Sequence, residues 1–318
     1  MQRKILKSDG ILLMAAVIWG FAFVAQRVGM KYVGPFTFNG IRFALGTLAI
    51  LPLVMRKRGN SFKTRETHGG LIERGNDPQE RNRFGPLLAG IALFAGTSLQ
   101  QFGLVYTTAG NAGFITGLYV IMVPMLGLFF GQRTNAGTWI GAIAAAVGLY
   151  FLSLQEYRIN IGDILVLIGA LAWATHVLII GWLSPRMDSL RLAVLQYLVC
   201  STLSLLMAVI FERITLDGVY GAAVPILYSG ALSVGVAFTL QVVGQRTAHP
   251  AHAAITLSLE TVVAAFGGWL ILDELLSQRE LIGCGLMLIG MLLSQLWGIL
   301  GRRMRVRTGN HIKRDEIN

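Results

Sequence analysis

The sequence predicts an all-α integral membrane protein with ten transmembrane helices, arranged as two inverted repeats of five helices each. Three observations predict it: an apolar composition, ten apolar stretches of membrane-crossing length, and matching segments in the two halves. The 318 residues are 54% hydrophobic and only 14% charged, a balance that soluble domains rarely have. Because backbone groups in lipid must bond within their own segment, each stretch is expected to be a helix.

The ten stretches each approach the roughly 20 apolar residues that a helix needs to cross a bilayer. The first repeat holds those at 10–29, 35–55, 85–106, 110–131 and 137–154. The second repeat holds those at 162–182, 189–210, 220–244, 248–271 and 281–300. The basic start of the chain is like that of a signal peptide, but the first stretch is too long and lacks a cleavage site, so we expect it to be retained. The predicted divisions are therefore an N-terminus 1–9, a first repeat 10–154, a second repeat 162–300 and a tail 301–318.

Matching segments in the two halves indicate the internal repeat. Ile140-Gly141 and Gly148 of the fifth stretch recur as Ile282-Gly283 and Gly290 of the tenth. Upstream, a further set of residues recurs at a constant shift: Gln101, Thr107, Ile115, Thr116, Val123 and Gly127 match Gln241, Thr247, Ile255, Thr256, Val263 and Gly267. Because each repeat has an odd number of helices, the second enters the membrane upside down. Inverted repeats around a central site are typical of transporters.

Basic residues predict the orientation. Most of the 27 lysines and arginines lie in loops on the same side as the N-terminus, including the long loop 56–84. The opposite side carries few: Arg27, Lys31, Arg158, Arg213 and Arg279. The positive-inside rule therefore predicts a multi-pass protein of the inner (plasma) membrane with both termini in the cytoplasm. The loop 56–84 and the tail are expected to be disordered or loosely helical on the cytoplasmic surface.

Two ionisable residues stand out because they lie deep within the predicted helices, where insertion of a charge costs about 2.5–3.5 kcal/mol. Arg42 is in the second helix and Glu260 is near the middle of the ninth. Each is expected to face a cavity or a partner, as part of a substrate or proton site. The alternatives are structural: Arg42 bonded to helix-end carbonyls, and Glu260 satisfied by neighbouring hydroxyls.

Further polar and aromatic residues extend this predicted pathway. Asn39 shares a helix face with Arg42, and Thr256 shares one with Glu260. Gln101 lies on the third helix, and His176, which titrates near neutral pH in water, lies in the middle of the sixth. Trp19 and Trp173 occupy equivalent places in the first and sixth helices. The predicted pathway is Trp19, Asn39, Arg42, Gln101, Trp173, His176, Thr256 and Glu260.

Glycines and other small residues form stripes along several of these helices, as Gly113 and Gly117 do on the fourth. Two interpretations of these glycine stripes remain open: close packing inside the bundle, and contact between the copies of a homodimer. No catalytic residue, cofactor or metal site is predicted, because Cys200 and Cys284 lack the spacing of a metal or redox pair. The sequence has no nucleotide-binding loop of the Gly-x-x-x-x-Gly-Lys type, so ATP is not expected to drive it directly. The expected partners are a small-molecule substrate and the lipid bilayer, with no nucleic acid, because the positive charge follows the loops.

The chain resembles the EamA-type permeases of the drug/metabolite transporter (DMT) superfamily over about 10 to 300. The run Trp19-Gly20-Phe21-Ala22-Phe23-Val24-Ala25 is similar to the family's first-helix element, and Trp173-Ala174 is its counterpart in the second repeat. The resemblance extends to Arg42-Phe43, to the run from Thr116 to Pro124, and to Leu257-Ser258-Leu259-Glu260 followed by Leu272-Asp273-Glu274. Thr261 stands where the family often has proline, which weakens the expectation of a break in the ninth helix, and Gln132-Arg133 stands where the family often has Gly-Glu.

The resemblance implies the DMT/EamA transporter fold, with a central cavity between the repeats, and movement of small metabolites, often outward and often amino acids. Proton coupling through Glu260 and facilitated diffusion both remain open. One alternative is a nucleotide-sugar or sugar-phosphate carrier, which would need several basic residues in its cavity. Another is a lipid-modifying membrane enzyme, for which His249 and His252 beside Arg246 are the only candidates. The protein is not expected to be an enzyme.

Overall fold

The described residues form a helical membrane bundle. The computed structural model describes residues 2–66, 84–107, 109–132, 134–153, 161–272, 277–279, 281–293 and 297, and these include no strand. Eight segments in these ranges are long and apolar enough to cross a membrane. Two shorter apolar helices, Ala136–Gly148 and Leu281–Leu293, lie where the fifth and tenth crossings are predicted. Large apolar side chains such as Leu48, Phe129 and Val209 point outward, which suits a lipid environment.

The described residues of the first half form six helices, which lie where the five crossings of that half are predicted. They are α1 (Gln2–Gly29), α2 (Pro35–Glu66), α3 (Gly85–Tyr106), α4 (Ala109–Gly117), α5 (Tyr119–Phe129) and α6 (Ala136–Ser153). Helix α2 continues past the predicted end at 55, so the first part of the predicted loop 56–84 is helical. The rest of that loop up to 83 lies outside the described residues, as does the tail 301–318.

The second half repeats this arrangement with more interruptions. It contains α7 (Ile161–Leu183), α8 (Ser189–Phe211), α9 (Leu216–Gly221), α10 (Ala223–Leu227), a π-helix (Tyr228–Phe238), α11 (Thr239–Gly244), α12 (Pro250–Leu257), α13 (Glu260–Leu272) and α14 (Leu281–Leu293). The eighth crossing begins at Ala223 in the structure, whereas the sequence predicts a start at 220. The preceding residues form α9, a short separate helix with no buried residue. The wide turns of the π-helix are a feature that often marks functional sites.

The fourth and ninth crossings are both broken near their middles. Helix α4 gives way to α5 at Leu118, and α12 gives way to α13 at Ser258 and Leu259. The ninth break occurs although Thr261 replaces the proline. The Ser258 hydroxyl donates to the carbonyl of Ile255 at 2.9 Å, and such local bonds compete with the regular helical ladder. A break at matching places in two halves is a transporter feature.

Glycines let the helices pack closely. A Cβ atom at Gly20 of α1 would lie 2.5 Å from the Cβ of Val263 in α13, and one at Gly90 of α3 would lie 2.5 Å from that of Val199 in α8. No ordinary side chain fits at these distances. At these two positions glycine therefore allows close packing inside the bundle, which is the first of the two interpretations that the sequence leaves open.

The matched motifs that reveal the repeat in the sequence contact each other directly. A Cβ atom at Gly148 of α6 would lie 2.6 Å from the carbonyl oxygen of Gly283 in α14. A Cβ atom at Gly290 of α14 would lie 2.6 Å from the carbonyl oxygen of Gly141 in α6. The two helices thus cross through equivalent glycines in a reciprocal contact, as a two-fold relation between the halves requires.

Candidate functional site

A cavity lies between the two halves, where the broken crossings meet. Residues of α1, α2, α3, α7, the π-helix and both broken crossings line it. Four predicted pathway residues are among them: Trp19, Arg42, Trp173 and Glu260. The structure therefore brings together one residue from α1, α2, α7 and α13, although these residues are far apart in the sequence.

The other four predicted residues lie outside this lining. Asn39 is fully buried, and its amide has no hydrogen-bond partner among the described residues. The Gln101 side chain donates to the carbonyl of Gln26 at 3.5 Å. Thr256 donates to the carbonyl of His252 within its own helix.

His176 is also fully buried and does not line the cavity. Its Nε2 lies 2.8 Å from Oε1 of Gln196 on α8. This is the interhelical hydrogen bond that commonly accounts for a histidine within a membrane helix. The prediction that His176 belongs to the pathway is therefore not supported by any contact of His176 with the cavity.

Aromatic rings form one wall of the cavity. The ring centroid of Phe238 in the π-helix lies 4.6 Å from that of Trp19 and 5.8 Å from that of Trp173, with the second pair nearly parallel. The Trp19 indole donates to the carbonyl of Ser233 at 3.2 Å. The two matching tryptophans therefore pack on one phenylalanine, whose importance the sequence did not indicate. Such a wall suits apolar or aromatic parts of a solute.

Arg42 is a buried cation that has no anion beside it among the described residues. Its side chain is only 2% exposed, and among the described residues it makes no hydrogen bond or ion pair, with Nε left unpartnered. The guanidinium carbon instead lies 5.5 Å and 5.2 Å from the ring centroids of Phe38 and Phe43. The structural alternative, in which helix-end carbonyls accept hydrogen bonds from Arg42, is not seen among the described residues. An uncompensated buried charge is costly, so a ligand anion would be bound strongly here.

Glu260 meets Tyr119 where the two broken crossings face each other. Each is the first residue of its half-helix, Glu260 in α13 and Tyr119 in α5. The Tyr119 hydroxyl donates to Oε1 of Glu260 at 3.4 Å, which is long for such a bond. A carboxylate at the start of a helix is stabilised by the helix dipole. The alternative in which neighbouring hydroxyls satisfy Glu260 is thus supported by one long hydrogen bond. The carboxyl nevertheless lines the cavity.

Three glutamines of the lining were not predicted. Gln26, Gln100 and Gln241 all line the cavity. Trp19, Phe23 and Gln26 follow one another at spacings of four and then three residues, so the face of α1 could have identified Gln26. Gln241 is the counterpart of Gln101 in the second repeat, and it lines the cavity. On α3, however, the residue that lines the cavity is Gln100, the neighbour of Gln101.

Polar contacts hold the end of the bundle where the chain begins. We call this set the N-end latch: Ser8, Asp9, Val177, Gly244, Gln245 and His252. Ser8 donates to the carbonyl of Gly244 at 2.6 Å, and Asp9 Oδ1 lies 2.9 Å from Nε2 of His252. Gln245 donates to the carbonyl of Val177 at 2.9 Å. The turn between α11 and α12 is therefore bound to both α1 and α7.

The opposite end has a matching arrangement, the far-end latch, formed by Arg27, Thr107 and Asp163. Arg27 at the end of α1 donates to the carbonyl of Thr107 at 3.2 Å. The Thr107 hydroxyl donates to Oδ1 of Asp163 in α7 at 2.6 Å. Asp9 and Asp163 are separated by the same number of residues as Trp19 and Trp173, so the two latches use equivalent aspartates. Each latch ties the turn that precedes a broken crossing to α1 and α7.

Comparison with known proteins decides the family. The model of the EamA-like transporter family matches residues 6–154 and again 160–296. The chain belongs to the EamA-like transporter family. It is 32% identical over 294 residues to an uncharacterized transporter of Archaeoglobus fulgidus, covering 92% of this chain and 87% of that protein. It is 22% identical over 292 residues to the uncharacterized transporter YoaV of Bacillus subtilis, covering 89% and 94%.

A solved crystal structure with 17% sequence identity has the same fold, with a TM-score of 0.72 over 91% of this chain and 98% of the other. The resemblance to EamA permeases and the all-α membrane fold are thus confirmed. The protein is a multi-pass membrane transporter, and both the family and the named relatives point to transport rather than catalysis.

The two histidines of the enzyme alternative have structural roles in this EamA transporter. His249 precedes α12, and its Nδ1 accepts from the backbone N–H of Ala251 at 3.4 Å. Burial and the neighbouring His252 lower the pKa of His249, which favours the neutral ring that this acceptor role needs. His252 contacts Asp9 in the N-end latch. The described residues hold no cluster of His, Cys, Asp or Glu suited to a metal.

Proposed function

We propose that this protein moves small metabolites, namely amino acids or related organic solutes, outward across the inner (plasma) membrane by alternating access. The observation that carries the proposal is the cavity, whose lining combines a buried cation with no anion beside it among the described residues, a buried carboxyl and an aromatic wall.

The charges of the cavity favour a zwitterion. Arg42 has no anion among the described residues, so a solute carboxylate would supply one. Glu260, whose one described partner is the Tyr119 hydroxyl, offers an acceptor for an ammonium group. An amino acid carries both groups, and the ring wall around Phe238 would hold its side chain.

The latches support alternating access. At each end of the bundle a turn is bound to α1 and α7, and the two sets of contacts use aspartates at equivalent positions of the repeat. A carrier of inverted repeats opens one end while the other stays closed. Breaking the N-end latch would open one side, and breaking the far-end latch would open the other. The distribution of lysine and arginine supports a cytoplasmic place for both termini, so the N-end latch would face the cytoplasm.

A sugar-phosphate carrier is the weaker candidate. Such a solute carries two or more negative charges and calls for several cations. Among the described residues that line the cavity, Arg42 is the one cation.

The test is transport by purified protein in liposomes that are offered a panel of labelled amino acids. The wild type should take up at least one, and the double variant Arg42→Gln/Glu260→Gln should lose that uptake. Arg186→Gln is the matched control, because Arg186 is exposed and stacks on Trp182 away from the cavity. Uptake that is unchanged in the double variant would contradict the proposal.

A further inference from the structure

Resting on the proposed function, we infer that Gln26 and Gln100 form an amide pair that presents its N–H groups to the cavity and selects solutes by a hydrogen-bond acceptor such as a carboxylate. Trp173 sets the direction of this pair. The three residues come from α1, α3 and α7, so the pair is assembled only in the folded bundle.

The direction of the amides follows from the chemistry of indole. An indole N–H donates and never accepts. The Trp173 Nε1 lies 2.9 Å from Oε1 of Gln100, so the carbonyl end of Gln100 must face the indole. The Nε2 of Gln100 then donates to Oε1 of Gln26 at 3.3 Å. Each amide oxygen thus already accepts one hydrogen bond from a protein donor.

The groups left over are N–H groups. Gln26 Nε2 has no hydrogen-bond partner among the described residues, and Gln100 Nε2 keeps a second hydrogen. Gln26 and Gln100 are only 4% and 5% exposed, and both line the cavity. Because both side chains are otherwise buried, their remaining N–H groups can reach an acceptor only inside the cavity. A solute in the cavity can provide that acceptor.

Arg42 supplies further donors to the same cavity. It lines the cavity together with Gln26 and Gln100, and its guanidinium carries only N–H donors. Helices α1, α2 and α3 therefore each contribute a donor group to the lining. Glu260 lies on α13, so a solute would place its acceptor end toward Arg42 and its donor end toward Glu260.

The test measures binding to the purified protein in detergent, followed by tryptophan fluorescence. Three probes share one ring: L-phenylalanine, 3-phenylpropionate without the ammonium, and phenethylamine without the carboxylate. Gln100→Met removes the donors at similar size, and Gln101→Met is the matched control, since Gln101 is the buried neighbour outside the lining. For Gln100→Met we expect binding of both carboxylate probes to weaken about tenfold or more, the range of a hydrogen bond to a charged group. Binding of phenethylamine should stay the same.

Trp173→Phe provides an independent check, because it keeps a ring but frees Gln100 to reverse. This variant should reduce the preference for carboxylate probes over phenethylamine, and a thermal melt shows that each variant is folded. If Gln100→Met and Gln101→Met weaken all three probes equally, the inference is overturned while the proposed function stands. If the wild type binds none of the probes and transports no amino acid, the proposed function fails and the inference fails with it.

Discussion

Arg42 carries the clearest chemical signal at the scale of single residues. A guanidinium that is 2% exposed and lacks an anion among the described residues destabilises the empty protein. Such a cost is retained where function needs it. The neighbouring rings of Phe38 and Phe43 offset part of that cost.

Replacing this cation should therefore separate stability from function. We expect Arg42→Met to abolish transport and to raise the melting temperature, because the buried charge is removed while much of the side-chain volume is kept. A gain of 1 kcal/mol corresponds to about 2–4 °C in a protein of 150–250 residues, so a rise of a few degrees is expected. Thermal melts and liposome uptake of the same preparation measure both. A variant that melts lower than the wild type would show that Arg42 holds the fold together.

The sequence identified residues whose chemistry is costly or unusual in a membrane helix. Arg42 and Glu260 are ionisable, and Trp19 and Trp173 lie away from the membrane interfaces. These four line the cavity. Glutamine is a weaker signal, because a neutral amide can also bond between helices, as Nε2 of Gln101 does to the carbonyl of Gln26. Since adjacent residues of a helix differ by about 100° in direction, choosing between Gln100 and Gln101 required the position of α3.

At the scale of elements, the crossing of α6 and α14 depends on reciprocal glycine contacts. Gly148→Ala or Gly290→Ala would each place a methyl group 2.6 Å from a backbone oxygen of the other helix. We expect each variant to lower stability by about 1–3 kcal/mol, the cost of overpacking. Gly285→Ala is the control, since nothing lies within 4 Å of a Cβ there.

The double variant Gly148→Ala/Gly290→Ala makes this prediction sharper. Once one methyl group has separated the helices, the second meets less resistance, so the double variant should cost less than the sum of the single variants. Thermal melts would measure all four proteins. Equal, small effects of the Gly148, Gly290 and Gly285 variants would show that the helices do not cross closely.

The two latches predict opposite changes in access to the cavity. After both native cysteines are replaced by alanine, Ser233→Cys reports on the cavity, because Ser233 lines it. Asp9→Ala should increase labelling of this cysteine by a membrane-impermeant thiol reagent from the N-terminal side. Asp163→Ala should increase labelling from the other side. Both variants increasing labelling from the same side would contradict the role of the latches in alternating access.

The sequence predicted the existence of the helices more reliably than their interruptions. Apolar length locates the crossings, but α2 continues as a helix to Glu66 because helix formation does not end where hydrophobicity falls. The break at Ser258 was underestimated because it arises from hydroxyl–backbone bonds rather than from proline. Contacts such as that between Asp9 and His252 join distant parts of the chain, and no local pattern indicates them.

At the scale of the whole molecule, the two halves of this EamA transporter meet through equivalent parts. The matched glycines cross, the two half-helices bring Tyr119 to Glu260, and both tryptophans pack on Phe238. The internal repeat could be predicted from the sequence because spacing survives in both halves. The resulting cavity could not, since it depends on how the halves face each other.

The most direct test of the central claim, that this cavity carries the transported solute, is uptake of amino acids into inverted and right-side-out membrane vesicles with and without a proton gradient. In inverted vesicles with an acidic interior, the wild type should accumulate an amino acid only when the gradient is present. Glu260→Gln should lose accumulation but retain exchange, because it removes the carboxyl to which we assign the coupling of the proton, while Arg42 and the aromatic wall remain. Transport that ignores the gradient and is normal in Glu260→Gln would contradict this account and leave Glu260 as a packing residue.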